Sequence, residues 1–171
     1  MHLTQTAQES KDIHFENMME NYGDILLRMC FMQLQDGEMA RDAVQETFLK
    51  AYKKWNSFKK QSSELTWLTS IAINTCRDIR RTAWFRNRGK TIKLEDAREP
   101  AYTQAFEDDT VLQAVAALPE KYRLAILLYY YQDMRQEDIS ATLKVPINTV
   151  KTWLRRRKEL LRTQLEGWFE A

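Results

Sequence analysis

The chain has 171 residues, 44% of them apolar and 29% charged, with a formal net charge of +2, an ordinary balance for a globular protein of one or two small domains. Four glycines and three prolines are too few for the turns of a strand-rich fold, so the composition points to helix. No apolar run approaches the ~20 residues needed to span a bilayer, and no signal-peptide pattern opens the sequence, so membrane insertion is not expected and a cytoplasmic location is.

Charge is distributed unevenly. Seven bases against one acid lie between Arg77 and Lys93, and six against one between Lys151 and Arg162. Leu94 to Asp109 carries six acids and one base. Two basic blocks on helical segments, separated by an acidic stretch, suggest two surfaces that face a polyanion. Cys30 and Cys76 lie in apolar periodic stretches without metal-ligand spacing and read as small buried hydrophobes of a reducing compartment. His2 and His14 stand near the N-terminus, away from any acid–base constellation, so neither a metal, a cofactor nor catalysis is indicated.

In chain order, residues 1–13 are polar and expected to be disordered. Phe15, Met18, Met19, Tyr22, Leu26, Met29 and Cys30 then recur at helical spacing. Gln35-Asp36-Gly37 forms a turn, and Met39, Ala43, Val44, Thr47, Phe48, Ala51, Tyr52 and Trp55 give a second amphipathic helix. Asn56 to Ser63 is polar and reads as an exposed loop. Trp67, Leu68, Ile71, Ala72, Thr75, Cys76 and Ile79 define a third helix, which completes a domain over 14–82.

Periodicity is lost over 83–109, where Gly89, Pro100 and the acidic bias mark a flexible linker. The second domain, 110–168, opens with a short helix through Val111, Leu112, Val115 and Leu118. Pro119 starts a helix running to Gln132, since its missing N–H is no loss in a first turn. Asp133 and Gln136 have capping-box spacing for a helix to Leu143. Lys144-Val145-Pro146 is a tight turn, and a basic helix follows, capped by Asn148 or Thr149. The expected fold is therefore all-α: two small helical domains joined by a flexible linker, the second carrying a helix-turn-helix.

That motif rests on Ile139, Ser140, Leu143, Val145, Val150 and Trp153, with Ser140 small enough for a helix crossing. Lys144 stands where glycine is common. With Val150 and Leu154 inward, Lys151, Thr152, Arg155 and Arg156 point outward, side chains that suit major-groove edges and backbone oxygens.

Gln136-Glu137-Asp138-Ile139-Ser140 followed by Val145-Pro146-Ile147-Asn148-Thr149-Val150-Lys151-Thr152 resembles region 4.2 of extracytoplasmic-function σ factors. Leu118-Pro119-Glu120-Lys121-Tyr122-Arg123 resembles the start of region 4.1. Asp42-Ala43-Val44-Gln45-Glu46-Thr47-Phe48 is similar to region 2.2, and Thr66-Trp67-Leu68 with Ile71-Ala72-Ile73-Asn74 to regions 2.3 and 2.4. The order and spacing of four motifs make the resemblance specific. Asn148, Arg135, Trp153, Arg157 and Lys60-Gln61 depart from the family pattern.

The resemblance implies an alternative σ factor, not an enzyme, whose partners are core RNA polymerase (through its β′ clamp helices and β flap), promoter DNA and an anti-σ factor. Asp42, Gln45, Glu46 and Leu49 would meet the clamp helices. The loop 57–65 would hold a base extruded from the −10 element, with Phe58 as an apolar wall, Asn74 as a hydrogen-bonding group and Arg77, Arg80 and Arg81 on phosphates. Trp67 is core or a stacking platform. Asn148, Thr149, Lys151, Thr152, Arg155 and Arg156 would meet the −35 element, while Arg157 and Lys158 reach phosphates only. An ordinary helix-turn-helix regulator would account for Gln136 to Arg157 but leaves Asp42 to Glu46 unexplained. A nucleic-acid enzyme would need carboxylate or nucleophile clusters that the sequence lacks.

Limited proteolysis tests the division: first cleavage is expected between Thr82 and Asp109, leaving two stable fragments. A first cut within 39–55 or 136–160 would contradict it.

Overall fold

A computed structural model of the chain describes residues 2–87 and 114–164, which fall in two compact units, Met1–Arg98 and Glu99–Ala171. Among the described residues there is helix and turn but no strand. Of the expected linker, 83–87 is helical and the remainder lies outside the described residues, as do Val111 and Leu112 of the expected short helix.

The first unit is a bundle of α1 (His2–Leu34), α2 (Gly37–Lys54) and α3 (Glu64–Asn87), each packed on the other two. Phe15, Met18, Leu26, Met29 and Cys30 of α1 are buried, whereas Met19 is 52% exposed. The helix starts at His2 rather than near position 14. Its early turns have partners on α2. Asp12 accepts a hydrogen bond from the Tyr52 hydroxyl at 2.5 Å, Gln8 contacts the same oxygen, and Lys11 sits 3.8 Å over the Tyr52 ring. With the nucleus supplied by the buried turns, adding residues at the end is inexpensive, and the Tyr52 contacts favour it further.

The α1–α2 turn uses Gln35 in the left-handed region (φ 54°), its N–H returning to the Phe31 carbonyl at 2.7 Å. Asp36 caps α2 by accepting the Met39 N–H at 2.8 Å. On α2, Ala40, Ala43, Thr47 and Ala51 are fully buried and form one column at helical spacing, with Phe48 beside it. The Thr47 hydroxyl donates to the Ala43 carbonyl at 2.6 Å, so it is satisfied inside the column. Trp55–Ser57 is a turn of 3-10 helix. Ser63 caps α3 by accepting the Thr66 N–H at 3.1 Å. Leu68, Thr69, Ala72, Ile73, Thr75 and Cys76 are the buried face of α3. A hydrogen bond with the Cys76 thiol, together with burial, holds the Cys30 thiol far above the ordinary thiol range, so it stays protonated.

In the second unit, Pro119 precedes α4 (Glu120–Ile126) and its carbonyl accepts the Tyr122 and Arg123 N–H groups at 3.0 and 3.1 Å. The Arg123 guanidinium is buried and donates to the Ala116 carbonyl at 2.6 Å, tying the preceding turn to α4. The expected single helix to Gln132 instead widens into a π-helical turn over Leu127–Tyr131. Six consecutive residues, Arg123 to Leu128, are buried, more than one α-helical face can turn inward, and the wider turn re-registers the chain.

Asp133 does not cap the next helix. It sits in the left-handed region at φ 51°, and α5 (Gln136–Leu143) has Arg135 at its cap position without a side-chain cap bond. The Arg135 guanidinium reaches forward to Asp138 at 3.0 Å. Neither Asn148 nor Thr149 caps α6 (Ile147–Gln164), because the helix begins two or three residues earlier than either cap would place it. The Pro146 carbonyl accepts the Thr149 and Val150 N–H groups at 2.9 and 3.3 Å, which places Asn148 and Thr149 inside the first turn.

Lys144 closes the α5–α6 turn at φ 56°, ψ 45°, the conformation for which glycine carries no steric penalty. Ser140 adds a second closure, its hydroxyl donating to the Val145 carbonyl at 2.6 Å. Lys144→Gly should therefore stabilise the second unit by about 0.5–1 kcal/mol, left-handed strain less the entropy of glycine, and raise its thermal midpoint by a few degrees. A lowered midpoint in circular dichroism melting would contradict this account of the turn.

Candidate polymerase and nucleic-acid interfaces

Three surfaces collect the residues singled out in the sequence. The first is the outer face of α2. At about 100° per residue, Asp42, Gln45, Glu46 and Leu49 lie opposite the buried column of Ala40, Ala43, Thr47 and Ala51. All four are exposed, Leu49 by 56%. Beside them a groove of about 420 Å³ runs between α2 and α3, with Met39, Asp42, Glu46, Lys50, Asp78 and Arg86 among its lining residues. The Lys50 ammonium lies 3.7 Å from Glu46 and 4.0 Å from Asp78 and donates to the Thr75 hydroxyl at 3.2 Å. Pairs as exposed as these contribute ~1 kcal/mol or less, so the face keeps its acidic character.

The second surface joins the loop after α2 to the outer face of α3. Phe58 and Trp67 stack with ring centroids 4.7 Å apart and planes at 26°, and Trp55 packs on both at 5.6 and 5.9 Å. His14 lies 4.9 Å from Trp55 and is 2.8 Å from Glu64 at the start of α3. Trp67 is thus neither fully core nor free. It is half-buried, with a ring held against Phe58. Lys60 takes a left-handed φ of 53° at the tip of the loop.

From this cluster the outer face of α3 continues through Asn74, Arg77 and Arg81, all exposed. Arg81 also contacts Asp78 at 3.1 Å. Arg80 is set apart from these three: it is half-buried, and its Nε and Nη2 atoms are out of reach of solvent. The sequence placed Trp55 on the second helix and gave His14 no role, while Glu64 and Trp84, the latter 58% exposed further along α3, were not singled out. The spacing of Trp84 from Arg77 and Arg81 was the available signal for it.

The third surface is α6. Val150 and Leu154 are buried, with 0% and 5% exposure. Lys151, Arg155, Arg156 and Lys158 are exposed, as is Asn148, while Thr149 and Thr152 are half-buried. The Thr152 hydroxyl donates to the Asn148 carbonyl at 2.8 Å. Arg157 does not turn to the flank with Lys158. Its guanidinium lies 3.8 Å over the Tyr122 ring, and Trp153 meets the same ring edge-on at 5.8 Å. A hydrogen bond from the Arg157 guanidinium holds the pKa of the Tyr122 phenol below its ordinary value. Arg157 is therefore a strut between α6 and α4.

Among the described residues, no cluster of three or more His, Cys, Asp or Glu is placed to hold a metal ion, and no helix is long and apolar enough to cross a membrane.

The profile of σ-70 region 2 matches residues 18–86, and that of σ-70 region 4 matches residues 108–161. The ECF RNA polymerase sigma factor SigW of Bacillus subtilis is 30% identical, with 88% of each chain covered. The RNA polymerase sigma-H factor of Pseudomonas aeruginosa is 27% identical over 96% of this chain and 92% of its own. Among solved structures, the σ factor RpoE of Bartonella quintana, in complex with the anti-σ factor NepR, shares the fold with a TM-score of 0.74 at 22% identity, covering 91% of this chain and 98% of that one. An all-α chain with both σ regions in order, and with a relative at this identity along nearly its whole length, belongs to the extracytoplasmic-function family of σ factors, the alternative σ factors that direct RNA polymerase to its promoters.

Proposed function

We propose that the three surfaces divide the work of a non-enzymatic, cytoplasmic initiation factor. Asp42, Gln45, Glu46 and Leu49 bind the β′ clamp helices of core polymerase. The loop 57–65 with Phe58, Asn74, Arg77 and Arg81 takes the −10 element, Arg80 supporting that face from its half-buried place. Asn148, Thr149, Lys151, Thr152, Arg155 and Arg156 take the −35 element, while the second unit also meets the β flap. The domains that do this correspond to 14–82 and 110–168. The observation that carries the reading is the rotation of α2. Its column of small buried side chains leaves the acidic set and Leu49 on the opposite, exposed side, where a solvated helix would have no need of Leu49. An anti-σ factor, of the kind bound to RpoE of Bartonella quintana, is the proposed brake.

Melting by the second surface follows from the stack of Trp55, Phe58 and Trp67. An extruded base loses a few kcal/mol of stacking, and an aromatic wall fixed beforehand recovers it without further ordering cost. On α6, the helix N-terminal side chains reach base edges, as helix-turn-helix docking places them.

Two experiments test these assignments. The double variant Asp42→Lys/Glu46→Lys sets like charges against a basic partner and should cost several kcal/mol across the interface. It should stay folded but fail to comigrate with core polymerase, and normal comigration would remove the α2 assignment. On the DNA side, Arg155→Ala should cost ~1–3 kcal/mol and relax preference at one base pair of the −35 element. Lys158→Ala should weaken all sequences alike and lower the salt slope by roughly one unit. The reverse pattern, in holoenzyme binding against salt, would mean that α6 docks with a different face.

A further inference from the structure

We propose that His14 is a positioning residue for base capture: from α1 it clasps both ends of the loop 57–65 and so holds the aromatic wall beside which the extruded base would sit. The inference rests on the reading that this loop captures a base of the −10 element. The imidazole meets the two ends of the loop at once. Its ring centroid lies 4.9 Å from that of Trp55, with planes at 43°. Its Nε2 lies 2.8 Å from Oε1 of Glu64, the first residue of α3. An ionised carboxylate only accepts hydrogen bonds, so Nε2 carries a proton and donates it to Glu64.

Trp55 passes the constraint on to the wall. The Phe58 N–H donates to the Trp55 carbonyl at 3.0 Å, and the Phe58 and Trp67 rings lie 5.6 and 5.9 Å from the Trp55 ring. His14 therefore acts on Phe58 through Trp55, and on the start of α3 through Glu64. The core of α1 has no need of it, because the adjacent Phe15 is the buried residue and meets Trp55 edge-on at 5.3 Å. The His14 and Glu64 side chains are 41% and 29% exposed, and a pair so open to water adds little to global stability. Its effect is local. The loop has a left-handed step at Lys60 and polar residues along most of its length, so its order depends on its two ends. A wall fixed at both ends gives up less conformational freedom when a base enters.

The test uses holoenzyme reconstituted from the full chain and core polymerase. Promoter DNA from a selected binding sequence is prepared as a duplex −35 fragment and as a fork with a single-stranded −10 segment. The fork is made intact and with an abasic residue at each single-stranded position in turn. The parent protein should lose most affinity for one abasic fork, which identifies the captured base. His14→Ala should lower affinity for the intact fork about fivefold, yet bind that abasic fork as the parent does, because no base is left to be held. Core comigration, binding of the −35 fragment and the thermal midpoint should match the parent. His14→Gln, whose amide nitrogen can still donate to Glu64, should regain most of the lost affinity. His14→Glu, which sets like charges together, should bind the intact fork less well than His14→Ala. Unchanged affinity of His14→Ala for the intact fork overturns the proposal. An equal loss on intact and abasic forks also overturns it, by assigning His14 to the stability of the fold alone. A parent protein that binds every abasic fork like the intact one captures no base, and the loop reading then fails together with the inference built on it.

Discussion

The column of Ala40, Ala43, Thr47 and Ala51 on α2 is the contact on which the first unit depends. Side chains this small let α2 approach α1 and α3 closely, and each is fully buried. Interiors are packed to crystal-like density, so a larger side chain in the column would have to displace a helix. The column also fixes the rotation of α2 about its axis. Asp42, Gln45, Glu46 and Leu49 then have no choice but to face outward. The same logic holds on α3, where Leu68, Ala72, Thr75 and Cys76 set the rotation and the opposite stripe carries Asn74, Arg77 and Arg81. Two exposed surfaces are thus aimed by residues of the core.

Much of this was legible in the residues. The inward spacing of Val150 and Leu154 gave the correct face of α6, and Ser140 was placed at the helix crossing, where its hydroxyl now closes the turn on Val145. The failures have physical causes. Asp133 resembles a cap by spacing alone, but a residue at φ 51° ends the π-helical turn instead of starting a helix. That turn was itself hidden, because an apolar run such as Leu124 to Leu128 reads as buried helix whatever its hydrogen-bond register. Asn148 and Thr149 are good capping residues, yet the carbonyl of Pro146 is already in place two and three residues before them. Arg157 looked like one more base in a basic helix, and only tertiary structure shows the Tyr122 ring beneath it.

The aromatic cluster around Trp55 shows how a polar loop can be held without strands or disulfides. Phe58 and Trp67 stack, Trp55 bridges them, and His14 ties α1 to Glu64 at the start of α3. Both ends of the loop are therefore fixed to the bundle, while its tip is free to take the left-handed step at Lys60. A base entering beside Phe58, as proposed above, would meet a wall that is already ordered, which limits the conformational entropy lost on binding.

The anchoring of α6 is sparse by comparison. Among its described positions only Val150 and Leu154 are buried, helped by Trp153 and Arg157 against Tyr122. Fold and reading head are therefore almost separable in mutational space. Substitutions at exposed Lys151, Arg155 or Arg156 leave the packing of the helix intact, so, on the proposed −35 reading, descendants of a duplicated gene could drift to new promoter sequences while remaining folded at every step. A lineage can multiply its regulons by changing a handful of codons in one helix, with selection on stability nearly silent there and concentrated instead on two aliphatic positions.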